Sequence, residues 1–297
     1  MLHKLFLLFL FIIIVHPELH AQVKKEITAP DTTKGKLLEK KKDVTAPETP
    51  KEKKLEAKLQ KRLYSIPQFL NETFLFIKQP TKWIGTDWLK LGIVAATAMA
   101  VMPFDERITN STQGHQRYYY SAPIEGGRIY GEWYSIAGVA GAFGFYGLFA
   151  HDTAAKKITI ELIQAGLYSE LVTEVLKVVI GRTRPVRSND AFTYHPLTLI
   201  NYNFHSMPSG HTTSAFALST VMSRHAKSTV VKILAYIPAG FTMFSRIYQH
   251  QHWLSDELPA AAIGFAAGNW VVDLHEGKRH RINVTSMYPL GISYALN

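Results

Sequence analysis

The chain of 297 residues contains no cysteine. This absence excludes disulfide bonds and thiol chemistry, and it suits an oxidising compartment. Long uninterrupted apolar runs are also scarce. Most apolar segments are shorter than the ~20 residues that a bilayer-spanning helix needs. Several of them also contain charged residues, namely Lys90, Glu161, Glu170, Glu174 and Lys232.

Acidic residues are few relative to basic ones, and the net charge is +10. The excess is local, because residues 23–62 are crowded with lysines and hold few large apolar side chains. Such a segment buries too little surface to offset the entropy of ordering it, so a disordered linker is predicted. Anionic headgroups would attract it by ~1 kcal/mol per basic residue, but a solvated linker is the favoured interpretation. The charge therefore does not indicate a nucleic-acid partner.

Residues 1–22 have the pattern of an export signal. Lys4 gives a positive start, Leu5 to Val15 form an apolar run, and Leu19-His20-Ala21 supplies a cleavage site. The run is short for a membrane span, which favours cleavage over the alternative of an uncleaved anchor. The sequence thus predicts export to a bacterial cell envelope, either into the periplasm or to the periplasmic face of the membrane.

Residues 63–278 have the composition of one folded domain. Long apolar segments rich in small residues predict helices, and six of them predict an all-α six-helix bundle. A further amphipathic stretch, Ile66 to Trp83, is expected to pack along the outside or to lie at a lipid interface. Residues 279–297 have a strand-like composition and predict a short hairpin. The six segments are Trp88–Met102, Tyr134–Ala150, Ile158–Ile180, Thr212–Ser223, Thr229–Phe244 and Leu258–Val272.

Three polar clusters interrupt these segments, and the first is Lys177 with Arg184-Pro185. A spacing of seven residues on a helix places both cations on one face, ~10 Å apart, where they can converge on one anion. Arginine supplies a bidentate fork and lysine a point charge, both suited to phosphate. Pro185 is expected to end the helix. The alternative is a charge pair between Lys177 and Glu174 or Glu170.

The second cluster, Pro208-Ser209-Gly210-His211, precedes a helical run. A glycine-containing turn at a helix start presents unpaired backbone N–H groups that suit phosphate oxygens, and Ser209 adds a hydroxyl. His211 would lie at the same mouth, where an imidazole that titrates near ~6.5 can hold a proton for a leaving oxygen. The alternative is a serine N-cap beside an incidental histidine.

The third cluster is Ser245-Arg246 with His252 and Asp256. Arg246 adds a third cation. Because His252 and Asp256 stand four residues apart, they would be adjacent on one helical face, where the carboxylate can accept one ring N–H. The other ring nitrogen would then face outward, as a nucleophile in covalent catalysis requires. The alternative is a surface hydrogen bond between the two side chains.

The order and spacing of the clusters resemble the type 2 phosphatidic acid phosphatase (PAP2) superfamily, which includes class A acid phosphatases and vanadium haloperoxidases. Its pattern reads K-x6-RP, PSGH, SR-x5-H-x3-D, and the likeness covers roughly residues 91–272. The resemblance implies that His252 attacks phosphorus to give a phosphohistidine, that Asp256 stabilises the imidazolium, and that His211 protonates the leaving alkoxide. It implies no metal or other cofactor. The phosphate oxygens would be neutralised by Lys177, Arg184, Arg246 and the Ser209-Gly210 backbone.

The resemblance therefore predicts a metal-independent phosphatase for a phosphomonoester or pyrophosphate, with a lipid as the favoured carrier because the bundle is apolar. The alternatives are a soluble periplasmic non-specific acid phosphatase, a vanadium-dependent haloperoxidase and a non-enzymatic envelope tether. Arg182 and Arg187 either widen the basic rim or are solvated. The segment from Asp105 to Trp133 is expected to select the leaving group in a way that the sequence does not specify, and no oligomeric state is predicted.

The relation of the helices to a membrane stays open. If the signal is cleaved and all six segments span, Lys177 and Arg184 face the cytoplasm, whereas the exported members of the superfamily act on the outer side of the inner membrane. Three arrangements remain: a retained signal, one segment that does not span, or a soluble or peripheral bundle. The short, charged segments favour the last, and membrane association is expected.

Overall fold

A computed structural model describes residues 66–114 and 116–277. The predicted signal (1–22), linker (23–62) and terminal hairpin (279–297) lie outside these residues. Within them every regular element is helical, as ten α-helices and four short 3-10 turns. The predicted all-α fold class is therefore confirmed for the described part of the chain. The chain divides into two units, residues 1–78 and residues 79–297.

The ten α-helices are numbered here in chain order. Five predicted segments each correspond to a single helix. The segment Thr229–Phe244 forms two helices instead, because Pro238 has no N–H with which to bond the carbonyl of Leu234. Two more helices, between Asp105 and Tyr130, were not predicted. The bounds are α1 Ile66–Ile77, α2 Gly85–Val101, α3 Asp105–Gln113, α4 Ala122–Tyr130, α5 Trp133–Phe149, α6 Thr153–Ile180, α7 Gly210–His225, α8 Thr229–Leu234, α9 Ile237–Tyr248 and α10 Leu254–His275.

Helix α1 is the described part of the first unit. The Gln68 amide donates to the Glu72 carboxylate at 2.8 Å, one turn away. The Lys78 ammonium lies 4.1 Å from the centre of the Phe74 ring, a cation–π contact. Leu70, Phe74 and Ile77 are exposed.

The core of the second unit is built from α6, α7 and α10, which pack against one another. Leu162 of α6, Leu218 and Val221 of α7, and Val271 of α10 are all buried. The Tyr168 and Trp270 rings meet edge to face, with 5.9 Å between their centroids. These three helices carry Lys177, Gly210, His211 and Asp256, so the core packing fixes the positions of these candidate site residues.

The contact between α7 and α10 depends on two glycines spaced four residues apart, Gly264 and Gly268. A Cβ atom on Gly264 would lie 2.2 Å from the Thr213 carbonyl oxygen and 2.8 Å from the Ala217 nitrogen, both backbone atoms. Only a glycine lets the two backbones approach this closely, as in the small-residue interfaces of closely packed helices.

We expect Gly264→Ala to lower the free energy of unfolding by about 1–3 kcal/mol, because the added methyl group forces α7 and α10 apart. Thermal unfolding followed by circular dichroism measures the change. Gly138→Ala is the matched control: no atom lies within 4 Å of its added Cβ, and alanine favours a helix over glycine. Equal stability of Gly264→Ala and Gly138→Ala would contradict this account of the interface.

Two of the charged residues within the predicted apolar segments, Glu161 and Glu170, have polar partners inside the bundle. Glu161 is fully buried in α6 and contacts His225 of α7 and, at 3.2 Å, His275 of α10. Glu170 accepts a hydrogen bond of 2.6 Å from Ser214. Pairing of this kind makes buried charge compatible with an apolar helix.

Large apolar side chains are exposed on several helices of the second unit. Two helical stretches, Gly85–Gln113 and Thr229–Tyr248, are long and apolar enough to cross a membrane. The exposed side chains on α2, α5, α8 and α9 include Trp88, Leu89, Leu91, Ile93, Phe145, Leu148, Phe149, Val230, Ile233, Leu234, Ile237, Phe241 and Phe244.

Candidate active site

Lys177 and Arg184 reach the site from different elements. Helix α6 ends at Ile180, because Gly181 adopts the left-handed conformation with φ of 62°. A Cβ atom there would lie 1.8 Å from the His195 carbonyl oxygen. The prediction that the helix continues to Pro185 was therefore wrong: Lys177 lies in the last turn of α6, and Arg184 lies in the loop that follows.

The Lys177 side chain is buried, and it reaches from α6 to the start of α7. Its ammonium donates to the Glu174 carboxylate, so the charge pair considered as an alternative is present. The ammonium nitrogen also lies 3.0 Å from the position that a Cβ atom on Gly210 would occupy. The absence of a side chain at Gly210 therefore lets Lys177 approach the second cluster closely.

Arg184 is fixed by backbone carbonyl groups. Its guanidinium donates to the carbonyl oxygens of Tyr202 (3.1 Å), Gln251 (3.1 Å) and His205 (3.0 Å), and it lies 4.0 Å from the Tyr202 ring centre. Its Nη1 is 3.3 Å from Nε2 of His252. The first and third clusters are therefore in direct contact.

His252 precedes α10 rather than lying in it, so the prediction of a helical face shared with Asp256 was wrong. Its Nδ1 lies 2.7 Å from the Ser206 carbonyl oxygen and 3.8 Å from Oδ2 of Asp256. A carbonyl only accepts hydrogen bonds, so Nδ1 carries the proton and Nε2 keeps its lone pair. Burial, together with the charge of Arg184, lowers the pKa of His252 to about 3. The ring is therefore neutral at neutral pH.

Asp256 joins several parts of the site. Its carboxylate accepts hydrogen bonds from the Ser206 hydroxyl (2.6 Å), the Trp253 backbone N–H (2.9 Å) and Nη1 of Arg182 (2.6 Å). Burial alone would raise the pKa of Asp256, but the charge of Arg182 and these hydrogen bonds outweigh burial and lower it. A negative charge is thus held near the protonated edge of the His252 ring.

Arg182 is neither on a basic rim nor solvated, contrary to both interpretations of the sequence. It is fully buried, and all its N–H groups are used. Nη1 donates to Ser255 and Asp256, Nη2 to Asp105 (2.8 Å) and the Ala191 carbonyl, and Nε to the same carbonyl. Arg182 therefore connects α3, the loop after α6 and the start of α10. Arg187, in contrast, is exposed and donates to Asn203.

Ser209, Gly210 and His211 lie at the start of α7, as the second cluster predicted. Ser209 is buried, and its backbone N–H donates to the Asp256 carbonyl oxygen at 3.3 Å. His211 Nε2 lies 3.5 Å from Nη1 of Arg246 and 3.2 Å from Glu132. Burial, followed by the charge of Arg246, lowers the pKa of His211 to about 2. The second and third clusters thus meet at these two side chains.

Arg246 is 4% exposed, yet its Nε and Nη2 have no hydrogen-bond partner among the described residues. Burying a charged donor without a partner destabilises a protein by roughly several kcal/mol. A buried guanidinium with unpartnered N–H groups beside the neutral His211 ring is therefore suited to bind an anion.

Helix α4 and the turn that follows it supply site residues that the sequence did not predict. Glu125 and Arg128 of α4, and Glu132 just before α5, lie near Arg246 and His211, because Gly127 and Gly131 allow close packing. A Cβ atom on Gly127 would lie 2.4 Å from the Phe241 carbonyl oxygen, and one on Gly131 would lie 2.7 Å from the His211 carbonyl oxygen. In the sequence, Gly127 and Gly131 indicated that another element packs closely here. They did not identify that element, because their partners are distant along the chain.

The described part of the chain is thus helical, and it brings the three clusters together, with His252 beside Arg184 and His211 beside Arg246. The family model for the PAP2 superfamily matches residues 159–279, the segment that carries all three clusters. Residues 159–279 are therefore similar to the PAP2 superfamily.

Three known proteins are similar to this chain. The lipid A 1-phosphatase of Porphyromonas gingivalis is 40% identical over 74 residues, which are 23% of this chain and only 17% of that protein's length. The crystal structure of a transmembrane PAP2-type phosphatidylglycerolphosphate phosphatase from Bacillus subtilis has a TM-score of 0.48 at 24% identity, covering 65% of this chain and 96% of that one. Aquifex aeolicus LpxE has a TM-score of 0.45 at 21% identity, covering 57% and 95%.

Proposed function

We propose that this protein is a phosphatase that hydrolyses a phosphate ester, a phosphomonoester or pyrophosphate, through a phosphohistidine intermediate. The observation that carries the proposal is the buried Arg246 guanidinium, whose Nε and Nη2 have no partner among the described residues. A phosphate between Arg246, Lys177 and Arg184 would accept hydrogen bonds from donors that are already in position. Such fixed donors stabilise the charge that develops in phosphoryl transfer.

His252 is the proposed nucleophile. Its Nε2 carries the lone pair, because Nδ1 donates to the Ser206 carbonyl. Nε2 attacks phosphorus, the bond from phosphorus to the leaving oxygen breaks, and the leaving oxygen keeps the electron pair. The charge of Asp256, 3.8 Å away, stabilises the positively charged phosphohistidine. Water then attacks phosphorus and gives up a proton to His211, which is neutral again after protonating the leaving oxygen. The Nε2–P bond breaks, its electron pair returns to Nε2, and phosphate is released.

His211 is the proposed donor of a proton to the leaving oxygen. In the unliganded protein burial and neighbouring cations keep its ring neutral. A phosphate that binds between Arg246 and His211 offsets those cations and raises the pKa of His211. We therefore expect His211 to take up its proton together with the substrate and to pass it to the leaving alkoxide.

A lipid is the proposed carrier of the phosphate, and the cell envelope is the proposed location. Two observations support this: the two apolar helical stretches Gly85–Gln113 and Thr229–Tyr248, and the 40% identity over 74 residues with a lipid A 1-phosphatase. Apolar helices exposed on the surface suit insertion into a bilayer. Phosphate release from lipid phosphates in mixed micelles, compared with release from soluble monoesters, tests the choice of carrier.

Hydrolysis of a chromogenic aryl phosphate by the purified full chain tests the function. We expect phosphate release that persists in EDTA, because three cationic side chains supply the positive charge, and that is inhibited by vanadate. Arg246→Ala should lower kcat/KM at least ~100-fold, since it removes the uncommitted donors of the pocket. Exposed Arg187→Ala is the control. If vanadate-loaded protein oxidises bromide with peroxide and releases no phosphate, the proposal fails.

A further inference from the structure

Glu257 is a buried carboxyl group that the proposed reaction does not use. It lies in the first turn of α10, directly after Asp256, and it is fully buried. Its Oε2 accepts a hydrogen bond from the hydroxyl of Thr212 in the first turn of α7. Its Oε1 has no hydrogen-bond partner among the described residues. A buried carboxyl oxygen of this kind needs an acceptor if it carries a proton and donors if it is charged.

The hydroxyl of Ser209 is a second open group at the same place. Ser209 is the N-cap residue of α7, but its side chain does not cap the helix. Its Oγ is buried and has no partner in the part of the chain that the structure describes. The Ser209 N–H donates to the Asp256 carbonyl, and the Ser209 hydroxyl lies next to the Glu257 carboxyl. The two open groups are therefore suited to bond each other.

Glu257 is mostly neutral at neutral pH. Burial, reinforced by the charge of Asp256, raises the pKa of Glu257 to about 8, although the hydrogen bond from Thr212 and the charge of Arg246 lower it. A carboxylic acid has one O–H donor, which a carboxylate lacks. Because Thr212 donates to Oε2, the proton of the acid belongs on Oε1, the oxygen that faces an open position.

Other charged and titratable groups around the first turns of α7 and α10 have partners of their own. These pairs are Lys177 with Glu174, Glu170 with Ser214, Asp105 with Arg182, His211 with Glu132, and His252 with the Ser206 carbonyl. Asp256 and Arg246 are therefore the charges that act most directly on Glu257.

We propose that Glu257 is a positioning residue: as a carboxylic acid it donates its O–H to Ser209 Oγ and thereby directs the Ser209 O–H into the phosphate site. The inference rests on the proposed phosphatase function. Ser209 has a single hydroxyl proton, and that proton is available to a phosphate oxygen only when Oγ accepts from Glu257. A hydroxyl that accepts one hydrogen bond is also a stronger donor in the next. Ionised Glu257 would instead take the Ser209 proton in a hydrogen bond of its own.

Glu257→Gln tests this role, because the amide keeps the shape of the acid and has an N–H donor at every pH. We compare kcat/KM for a chromogenic aryl phosphate, which reports groups of the free enzyme. The ratio of the variant to the wild type should rise at least ~10-fold between about pH 6.5 and about pH 9.5, because the neutral fraction of Glu257 falls ~10-fold per pH unit above its pKa. A purely structural loss would lower the ratio equally at every pH.

Glu276→Gln is the matched control. Glu276 follows α10, is exposed and pairs with Arg224, so its ratio to the wild type should not change with pH. The Ser209→Ala background shows whether Glu257 acts through Ser209. There, Glu257→Gln should change the ratio by less than ~3-fold over the same range, since the group that it orients is gone. An undiminished rise would mean that the charge of Glu257 acts on Arg246 directly, and it would overturn the positioning role.

Infrared difference spectra of the wild type and Glu257→Gln test the protonation of Glu257 without any substrate. At neutral pH the wild type should show the C=O stretch of a protonated carboxyl, which the variant lacks and which disappears as the pH rises through about 8. Absence of this band, or a ratio that stays flat in an active enzyme, would overturn the role of Glu257 and leave the phosphatase intact. If the wild type releases no phosphate at any pH, the proposed function itself fails, and the positioning role fails with it.

Discussion

His252→Ala is expected to lose at least ~100-fold in kcat for phosphate-ester hydrolysis, the lower range for removing a group that takes part in the chemical step. The imidazole is the neutral nucleophile of the proposed reaction: its Nδ1 donates to the Ser206 carbonyl, and its Nε2 lies 3.3 Å from Arg184. Alanine removes the nucleophile and leaves the cations in position. Binding of phosphate or vanadate should therefore change much less than turnover does.

A single-turnover experiment gives a second readout for His252. Quenching with base after mixing with a 32P-labelled ester should trap an acid-labile, base-stable phosphoprotein in the wild type and none in His252→Ala. His250→Ala is a close control, because the His250 ring contacts Thr112 instead, at 3.1 Å. Near-normal turnover of His252→Ala, or an unchanged yield of phosphoprotein, would refute the assigned nucleophile.

The second large effect is expected for Arg182→Met, which should destabilise the protein by ~3–5 kcal/mol, the usual result of removing one partner of a buried ion pair. Arg182 is fully buried between Asp105 and Asp256. Methionine fills similar space but leaves both carboxylates without a counter-charge. Activity should fall as well, because Asp256 then loses the contact that positions it beside His252.

Thermal unfolding of the purified variants measures this effect. Arg187→Met, five residues along the chain and exposed, should change stability by less than ~0.5 kcal/mol. The double variant Arg182→Met/Asp105→Asn should recover part of the loss, because it removes one of the two uncompensated charges. If Arg182→Met is as stable as the wild type, the buried network does not hold the site together.

Much of the helical fold was predictable, since long apolar segments such as those of α6 and α10 follow from burial in a bundle. Helices α3 and α4 were missed because they are short and partly polar. Contacts with distant residues, for example that of Gly127 with Phe241, help to stabilise them. A sequence pattern confined to nearby residues does not contain such contacts.

The site was predicted by residue type and spacing, but its geometry was not. Gly181 was the local signal for the end of α6. The sequence analysis instead assigned the end of this helix to Pro185. The start of α10 is set by the hydrogen bond from the Trp253 N–H to Asp256, which leaves His252 outside the helix. Arg182 carried no local signal, since its partners Asp105 and Asp256 are distant along the chain, in α3 and α10. The catalytic roles of the motif residues stay predictions.

The buried Arg182 also determines which shorter fragments of the chain can keep an intact site. The segment that matches the family model begins at residue 159, whereas Asp105 and Glu132 precede it. A fragment trimmed to that match would keep every signature residue, yet Arg182 would have lost one of its two carboxylates and His211 its acidic neighbour. A fragment that folds with an intact site must therefore begin at or before Asp105, outside the segment that matches the family model.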